Sequence, residues 1–454
     1  MTHMDTDIET RIGQWRGYLS RRPALRPDDV RELEAHLRDQ IDGLQSGGLS
    51  EDEAFLIAVG RIGKIDEVSR EYAREHSDRL WKQLIGPDEQ AATAQRGERR
   101  SFVLALAMAV GAGLAVKLPW LLGLWGYDSA DFILRNAPAL VLVFLAGYLL
   151  LRRRASVRTW IIVAVPFAVT FTVMNVFPFA LNGTTLVLAA IHVIVGLWLT
   201  TGIAYMNGAW RSHTARMDFL RFTGEWFVYL ALIALGGGLL AGLTLGVFSA
   251  VGTNLDVFVS EWMIPCGAAG AVVIAAWLVE IKQSVIENIA PVLTRVFTPL
   301  FTALLLALIV SAGIHGSFIE EGRELLIMFD IVLLVVVALL LYSISARDPQ
   351  QRVGWFDRLQ LLMIVAALVV DVLVLVAIMG RIGEFGASAN KLATLGVNLV
   401  LFVNLAGGAW WHLRFIMRRS TFAAVERWQT GYLPVYAAWA AVVVLVFPPV
   451  FGFA

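Results

Sequence analysis

Asp371 is the residue whose surroundings demand most explanation. It lies in the run LLMIVAALVVDVLVLVAIMG, eleven residues beyond Gln360 and near the middle of an apolar stretch long enough to cross a bilayer. A charged side chain there costs at least ~2.5–3.5 kcal/mol, so each such group marks a partner, a cavity or a function. Asp330, Lys117 and His192 also fall inside apolar stretches, and Glu261 lies near the end of one. An acid at the midplane suits proton- or ion-coupled transport. Equally, it can serve as interhelical glue, accepting from Asn398 or Asn404 of the following stretch. Asp330 and Lys117 are expected at a common depth, where they can pair.

Other chemistry finds no support in the sequence. The seven histidines never stand at i, i+3 or i, i+4, so no zincin-type pair occurs. The chain has no P-loop, no G-x-S-x-G and no G-x-G-x-x-G opening a helix. No catalytic residue, metal site or cofactor is expected. The single cysteine, Cys266, lies within an apolar stretch, which leaves neither a disulfide framework nor a thiolate metal site.

The elements that position these groups are apolar runs. Hydrophobic residues make up 57% of the chain and charged ones 16%, and the mean hydropathy is +0.67. Such values exclude an ordinary soluble protein. A crossing helix needs ~20 mostly apolar residues for a ~30 Å hydrocarbon layer. Eleven stretches qualify, near 102–124, 136–151, 160–180, 184–206, 226–250, 258–280, 298–315, 325–345, 359–380, 395–413 and 434–452. The expected fold class is therefore an all-α polytopic membrane protein with about 11 transmembrane helices and a small N-terminal helical domain. The segments 281–297 and 414–430 have amphipathic spacing that suggests helices lying along the interface. Gly238, Gly242 and Gly246 make a smooth stripe on the fifth stretch, expected to admit a neighbouring backbone. No inverted repeat links the two halves.

Arginine falls on alternate connections. One set holds Arg96, Arg99, Arg100, Arg152, Arg153, Arg154, Arg158, Arg211, Arg216, Arg221, Lys282, Arg295, Arg347, Arg352, Arg358, Arg414, Arg418, Arg419 and Arg427; the other holds Arg135, Arg323, Arg381 and Lys391. By the positive-inside bias the first set is cytoplasmic, and eleven crossings then put the C-terminus outside. No signal-like apolar run precedes the first stretch, so the N-terminal domain is expected to stay in the cytoplasm.

Residues 1–85 read as four short helices, with 86–100 as a polar tether to the membrane domain 101–454. Ile8, Ile12, Trp15 and Leu19 share one helical face. Leu33, Leu37, Ile41 and Leu44 share a second, closed by Gly47-Gly48. Ser50 and Glu53 form a capping box that opens a third helix carrying Phe55, and a fourth is expected from Lys64. The core is expected from Trp15, Leu33, Leu37, Ile41 and Phe55. Glu32, Glu34 and His36 read as a solvated face.

The run Asp29-Val30-Arg31-Glu32-Leu33-Glu34-Ala35-His36-Leu37, followed by Gly48-Leu49-Ser50-Glu51-Asp52-Glu53-Ala54-Phe55 and Arg61-Ile62-Gly63, resembles the permease prefix domain. It also resembles the helix-turn-helix-associated α-helical signalling domains, over about residues 8–76. The membrane half resembles a polytopic bacterial family of unknown function, at Thr294–Leu300 and Gly386–Leu392. The first resemblance implies a cytoplasmic helical domain fused to membrane spans, of a kind frequently associated with PadR-type transcription regulators or preceding transporter permease domains. A cytoplasmic protein partner through residues 1–85 and no direct contact with nucleic acid are expected. The function expected is a membrane sensor in a bacterial inner membrane, responding to envelope state or a lipophilic compound. A secondary transporter with a regulatory prefix is the alternative, and an enzyme acting on a lipid-linked substrate comes third. The bilayer is a partner on any reading, and the oligomeric state is left open.

Overall fold

The computed structural model describes residues 5–19, 27–62, 87–121, 123, 129–180, 183–250, 252–281, 289–315, 323–348 and 351–454. Contacts divide the chain into two units, Met1–Arg99 and Arg100–Ala454.

The first unit contains α1 (Asp5–Leu19), α2 (Pro27–Ser46) and α3 (Glu51–Ile62). Ile12, Trp15, Leu37, Ile41, Ala54, Phe55, Ala58 and Val59 are buried together in one small core. The Leu33 side chain and the helix expected from Lys64 lie outside the described residues. Gly48 takes φ +92°, a left-handed conformation that ends α2 without the cost a β-carbon would bring. The capping box forms as expected: the Ser50 N–H donates to the Glu53 carboxylate at 3.1 Å and the Ser50 hydroxyl does so at 2.9 Å. Arg38 on α2 bonds Glu9 on α1 at 2.9 Å and Glu34 at 3.0 Å, and Arg11 on α1 pairs with Asp52 on α3. The Arg38 bond holds Glu9 below the usual carboxylate range, and the Ser50 N–H does the same for Glu53. Both contributions are present above the unfolded carboxylate value of ~4.3 and fade as the pH falls through the lower folded values.

The tether is helical. Residues from Pro87 continue without a break into the first crossing as α4 (Pro87–Leu121). Ala, Gln, Glu and Arg in EQAATAQRGERR all favour helix, and polarity alone does not make a loop.

The second unit is all-α and polytopic; no strand occurs among the described residues. Its helices are α5 (Ser129–Arg152), α6 (Val157–Val176), α7 (Thr184–Tyr205), α8 (His213–Ala250), α9 (Ile264–Ile281), α10 (Ile289–His315), α11 (Arg323–Ala346), α12 (Trp355–Phe385), α13 (Ala389–Ile416), α14 (Phe422–Leu445) and the short α15 (Phe447–Val450). A π-turn, Val259–Met263, leads into α9. Ten helices among the described residues are long and apolar enough to cross a bilayer. The eleventh stretch, 434–452, differs from expectation. It begins inside α14, whose first turns carry Glu426, Arg427, Gln429 and Thr430. These polar residues keep α14 below the hydropathy of the others, yet its 24 residues extend ~36 Å. It packs along α7, with Ala440 against Gly196. The backbone carbonyls of Phe453 and Ala454 accept from Ala180 and Thr185 at 2.9 and 2.8 Å, beside the turn between α6 and α7.

Two apolar cores fill this unit. One draws on α4 to α9 with Val444 of α14, the other on α10 to α14 with Met217 and Leu220 of α8, and Ala112, Val116 and Ala269 make a small third cluster. Segment 414–430 is no interfacial helix: α13 runs through it to Ile416, five residues turn, and α14 begins at Phe422. In 281–297, residues from Ile289 onward belong to α10, and 282–288 lie outside the described residues.

The glycine stripe is a further correction. Among the described residues, nothing lies within 4 Å of the position a β-carbon would take at Gly238, Gly242 or Gly246. The 38 residues of α8 make it roughly 57 Å long, well beyond the hydrocarbon thickness. Its last turns stand clear of the neighbouring helices, leaving Leu235, Leu239, Leu243 and Val247 exposed. The close approaches occur elsewhere. Gly396 meets the Trp439 ring and Gly407 the Trp428 ring along the α13–α14 seam.

Gly407→Ala should therefore lower the thermal midpoint of the purified protein, by an overpacking cost of about 1–3 kcal/mol. Gly242→Ala should leave it unchanged or slightly raised. In a fragment of residues 1–86, Leu37→Asp should abolish helical circular dichroism, because it removes ~1.5–3 kcal/mol of burial and places a charge in the core.

Candidate functional site

The centre of α12 places Asp371 among apolar side chains, with no solvent exposure. Neither carboxyl oxygen has a hydrogen-bond partner among the described residues. Asp330 on α11 is near enough to act on it through its charge. Two acids therefore lie on packed neighbouring helices, α11 and α12, where the sequence suggested a single midplane carboxylate.

The expected pairings are different. The Asn398 side-chain amide donates to Asp330 at 2.8 Å and to the Thr394 carbonyl at 2.9 Å, not to Asp371. Asn404 donates to Gln429 on α14 at 2.9 Å, and the Trp428 indole donates to the Asn404 carbonyl at 3.0 Å. Both asparagines lie on α13, but its rotation turns one toward α11 and the other toward α14. Lys117 does not pair with Asp330; it lies 5.5 Å from the Trp262 ring centre, against the segment that precedes α9. His192 Nδ1 is 2.8 Å from the Leu188 carbonyl of its own helix.

The oxygen of Asn398, like both of Asp371, is buried without a donor. An acceptor-rich site of this kind suits a proton or a small cation. It is also dry. The crevice beside it, lined by Leu308, Phe329, Val370 and Val374 among others, has a volume of about 10 Å³. That is the lower limit for one water molecule.

A wetter site lies at the arginine-rich end. Arg153 in the α5–α6 turn, Tyr205 and Met206 ending α7, and Asp218, Arg221 and Glu225 on α8 line a cavity of about 370 Å³. Phe222 and Val279 supply apolar wall. The Arg153 guanidinium lies 4.1 Å over the Tyr205 ring and reaches Glu280 at 3.4 Å. Glu280 also accepts from the Tyr148 hydroxyl at 3.0 Å and from Arg152 at 3.3 Å. Arg221 Nε donates to the Ser345 carbonyl near the end of α11 at 2.9 Å, joining the two cores across the cavity's edge. Alongside, Arg347 pairs with Asp357 at 2.9 Å and is flanked by the rings of Phe415 and Phe422 at 4.8 and 4.4 Å. Burial makes such a pair strongly dependent on both partners.

Sequence reasoning used Arg153 and Arg221 as orientation markers and passed over Asp218 and Glu225. One signal was available: Arg221 and Glu225 stand at i, i+4, with Asp218 three residues before Arg221, on one face of the helix entering the fifth crossing. Ser101 and Phe102, the first residues of the membrane unit, lie at this same end, beside Tyr148 and Trp277. No group of three or more metal-ligating side chains occurs among the described residues. No family model matches the chain, and no curated protein or solved structure shows significant similarity to it.

Asn398→Ala should destabilise the protein by about 1–3 kcal/mol, because it removes the amide donor from the buried Asp330. Asp371→Leu should hold or raise the thermal midpoint, since it replaces an acid without a partner by an apolar side chain of similar size. A large loss of stability in Asp371→Leu would mean that this carboxyl has a partner in the folded protein.

Proposed function

We propose that this chain is a signalling protein of a bacterial inner membrane, with a cytoplasmic N-terminal domain that binds a regulatory protein. The observation that carries the reading is the pairing of two separately cored units. One is a small, charged helical domain; the other is a membrane domain with a charged cavity at the end where the chain enters it. The resemblance of residues 8–76 to prefix and signalling domains favours a PadR-type regulator as partner.

The orientation belongs to the same proposal. Arg152, Arg153, Arg221 and Arg347 gather at one end of the bundle, whereas Arg135 sits at the other, over Phe179 and close to Phe453. By the positive-inside bias the first end is cytoplasmic and the C-terminus lies outside.

A secondary transporter is the second reading, favoured by the acceptor-rich cluster of Asp371, Asp330 and Asn398. The two separate cleanly. Residues 1–86 used as bait should retrieve a cytoplasmic regulator, and Asp371→Asn should leave that capture and the signalling phenotype intact. No regulator captured, together with proton-coupled flux in liposomes that Asp371→Asn abolishes, would establish the transporter. A reporter active only in the cytoplasm, fused after Ala454, should stay silent; a strong signal would overturn the orientation.

A further inference from the structure

The cavity at the arginine-rich end has a charge pattern that selects what it can hold. Its lining carries two guanidinium groups, Arg153 and Arg221, and two carboxyl groups, Asp218 and Glu225. Glu225 is buried, whereas Asp218 is exposed and Arg153 half-exposed, so the cavity reaches from solvent inward to a carboxylate. A simple anion entering it meets Asp218 and Glu225, and a simple cation meets Arg153 and Arg221. A zwitterion meets partners for both of its charges.

The hydrogen-bond inventory points the same way. Arg221 is committed through Nε to the Ser345 carbonyl. Arg153 is held by Glu280 and the Tyr205 face, and its Nε is buried without an acceptor among the described residues. The accessible part of the Arg153 guanidinium, rather than this buried N–H, is what an oxyanion in the cavity can meet. Met206, Phe222 and Val279 complete the lining with apolar surface suited to a short carbon chain. At about 370 Å³ the cavity lies within the range of small-molecule sites, ~300–1,000 Å³.

We propose that this cavity binds a zwitterionic group, an oxyanion seated against Arg153 and an amine directed to Glu225. Aminoalkyl phosphate is the chemistry that fits, either as a phospholipid headgroup entering from the inner leaflet or as a free soluble compound. The site stands on the cavity's own residues, so it holds whether the chain signals or transports.

The test uses the full-length protein and O-phosphoethanolamine as probe. In detergent micelles O-phosphoethanolamine should raise the thermal midpoint, whereas inorganic phosphate and ethanolamine, each alone, should raise it far less. Nanodiscs of phosphatidylethanolamine compared with phosphatidylglycerol report the lipid source. A response to that lipid with none to the soluble probe assigns a headgroup site, and a response in micelles assigns a soluble one. Arg153→Gln and Glu225→Gln should each weaken apparent binding at least tenfold. Glu225→Gln keeps shape and volume, and its midpoint without probe shows whether the fold is intact. Equal responses to phosphate and O-phosphoethanolamine, no response to either form of the headgroup, or binding unchanged in both variants would overturn the proposal.

Discussion

Hydrocarbon offers no hydrogen bonds, and most features of the membrane unit follow from that constraint. Each crossing must be helical so that its backbone satisfies itself. Polar side chains within the crossings obey the same rule by bonding back to their own helix. Thr172 bonds the Ala168 carbonyl at 2.9 Å, Thr201 that of Leu197 at 2.8 Å, and Thr302 that of Thr298 at 2.7 Å. His192 and His412 each set Nδ1 against the carbonyl four residues earlier, at 2.8 and 3.0 Å. Hydrogen bonds between helices come from a limited set of side chains, indoles and hydroxyls such as Trp226 and Tyr432 as well as amides. Asn136 and Asn175 exchange bonds at 3.1 and 2.7 Å, and Asn404 binds Gln429. Apart from Asp330 and Asp371, most charges collect toward the ends, where water or another ionic group can reach them.

This constraint explains both what the sequence revealed and what it concealed. Composition and run length suffice to place crossings, because the bilayer selects on those properties alone. The capping box at Ser50 and Glu53, and the buried Trp15, Leu37, Ile41 and Phe55, were legible for a related reason: local periodicity and short-range bonds determine them. Rotation of each helix about its axis was not legible. A turn of ~100° per residue decides whether Asn398 faces Asp371 or Asp330, and a uniformly apolar helix gives no moment from which to read that setting. The glycine stripe failed for the same reason. Small residues permit close approach, but nothing in the run from Leu235 to Ala250 reveals whether a neighbour arrives. Gly396 and Gly407, without a regular four-residue spacing, are the glycines that accept rings.

The two candidate sites differ chiefly in dielectric. Around Asp371 the crevice is at the limit of one water, and an ionised carboxyl would have to be compensated within the protein. In the cavity at Arg153 and Glu225, formal charges cancel among the lining residues and solvent reaches the rim. An exchangeable polar ligand belongs in the second setting, because its desolvation there is partial and its charges find partners. A proton, small enough to need no cavity, belongs in the first.

Helix α8 gives the wetter site its reach into the rest of the fold. Phe219 and Phe222 belong to the core of α4 to α9, whereas Met217 and Leu220 belong to the core of α10 to α14. Asp218, Arg221 and Glu225, interleaved with those four, face the cavity. Three faces of a single helical segment are therefore committed at once. Close-packed cores do not deform continuously, so a rotation of α8 that suits an occupant must repack one core or both. Arg221 adds a direct tie, since its bond to Ser345 joins α8 to the end of α11. Occupancy at this end can thereby bias the arrangement of both halves of the bundle, while the closed cluster at Asp371 is reached only through helix packing.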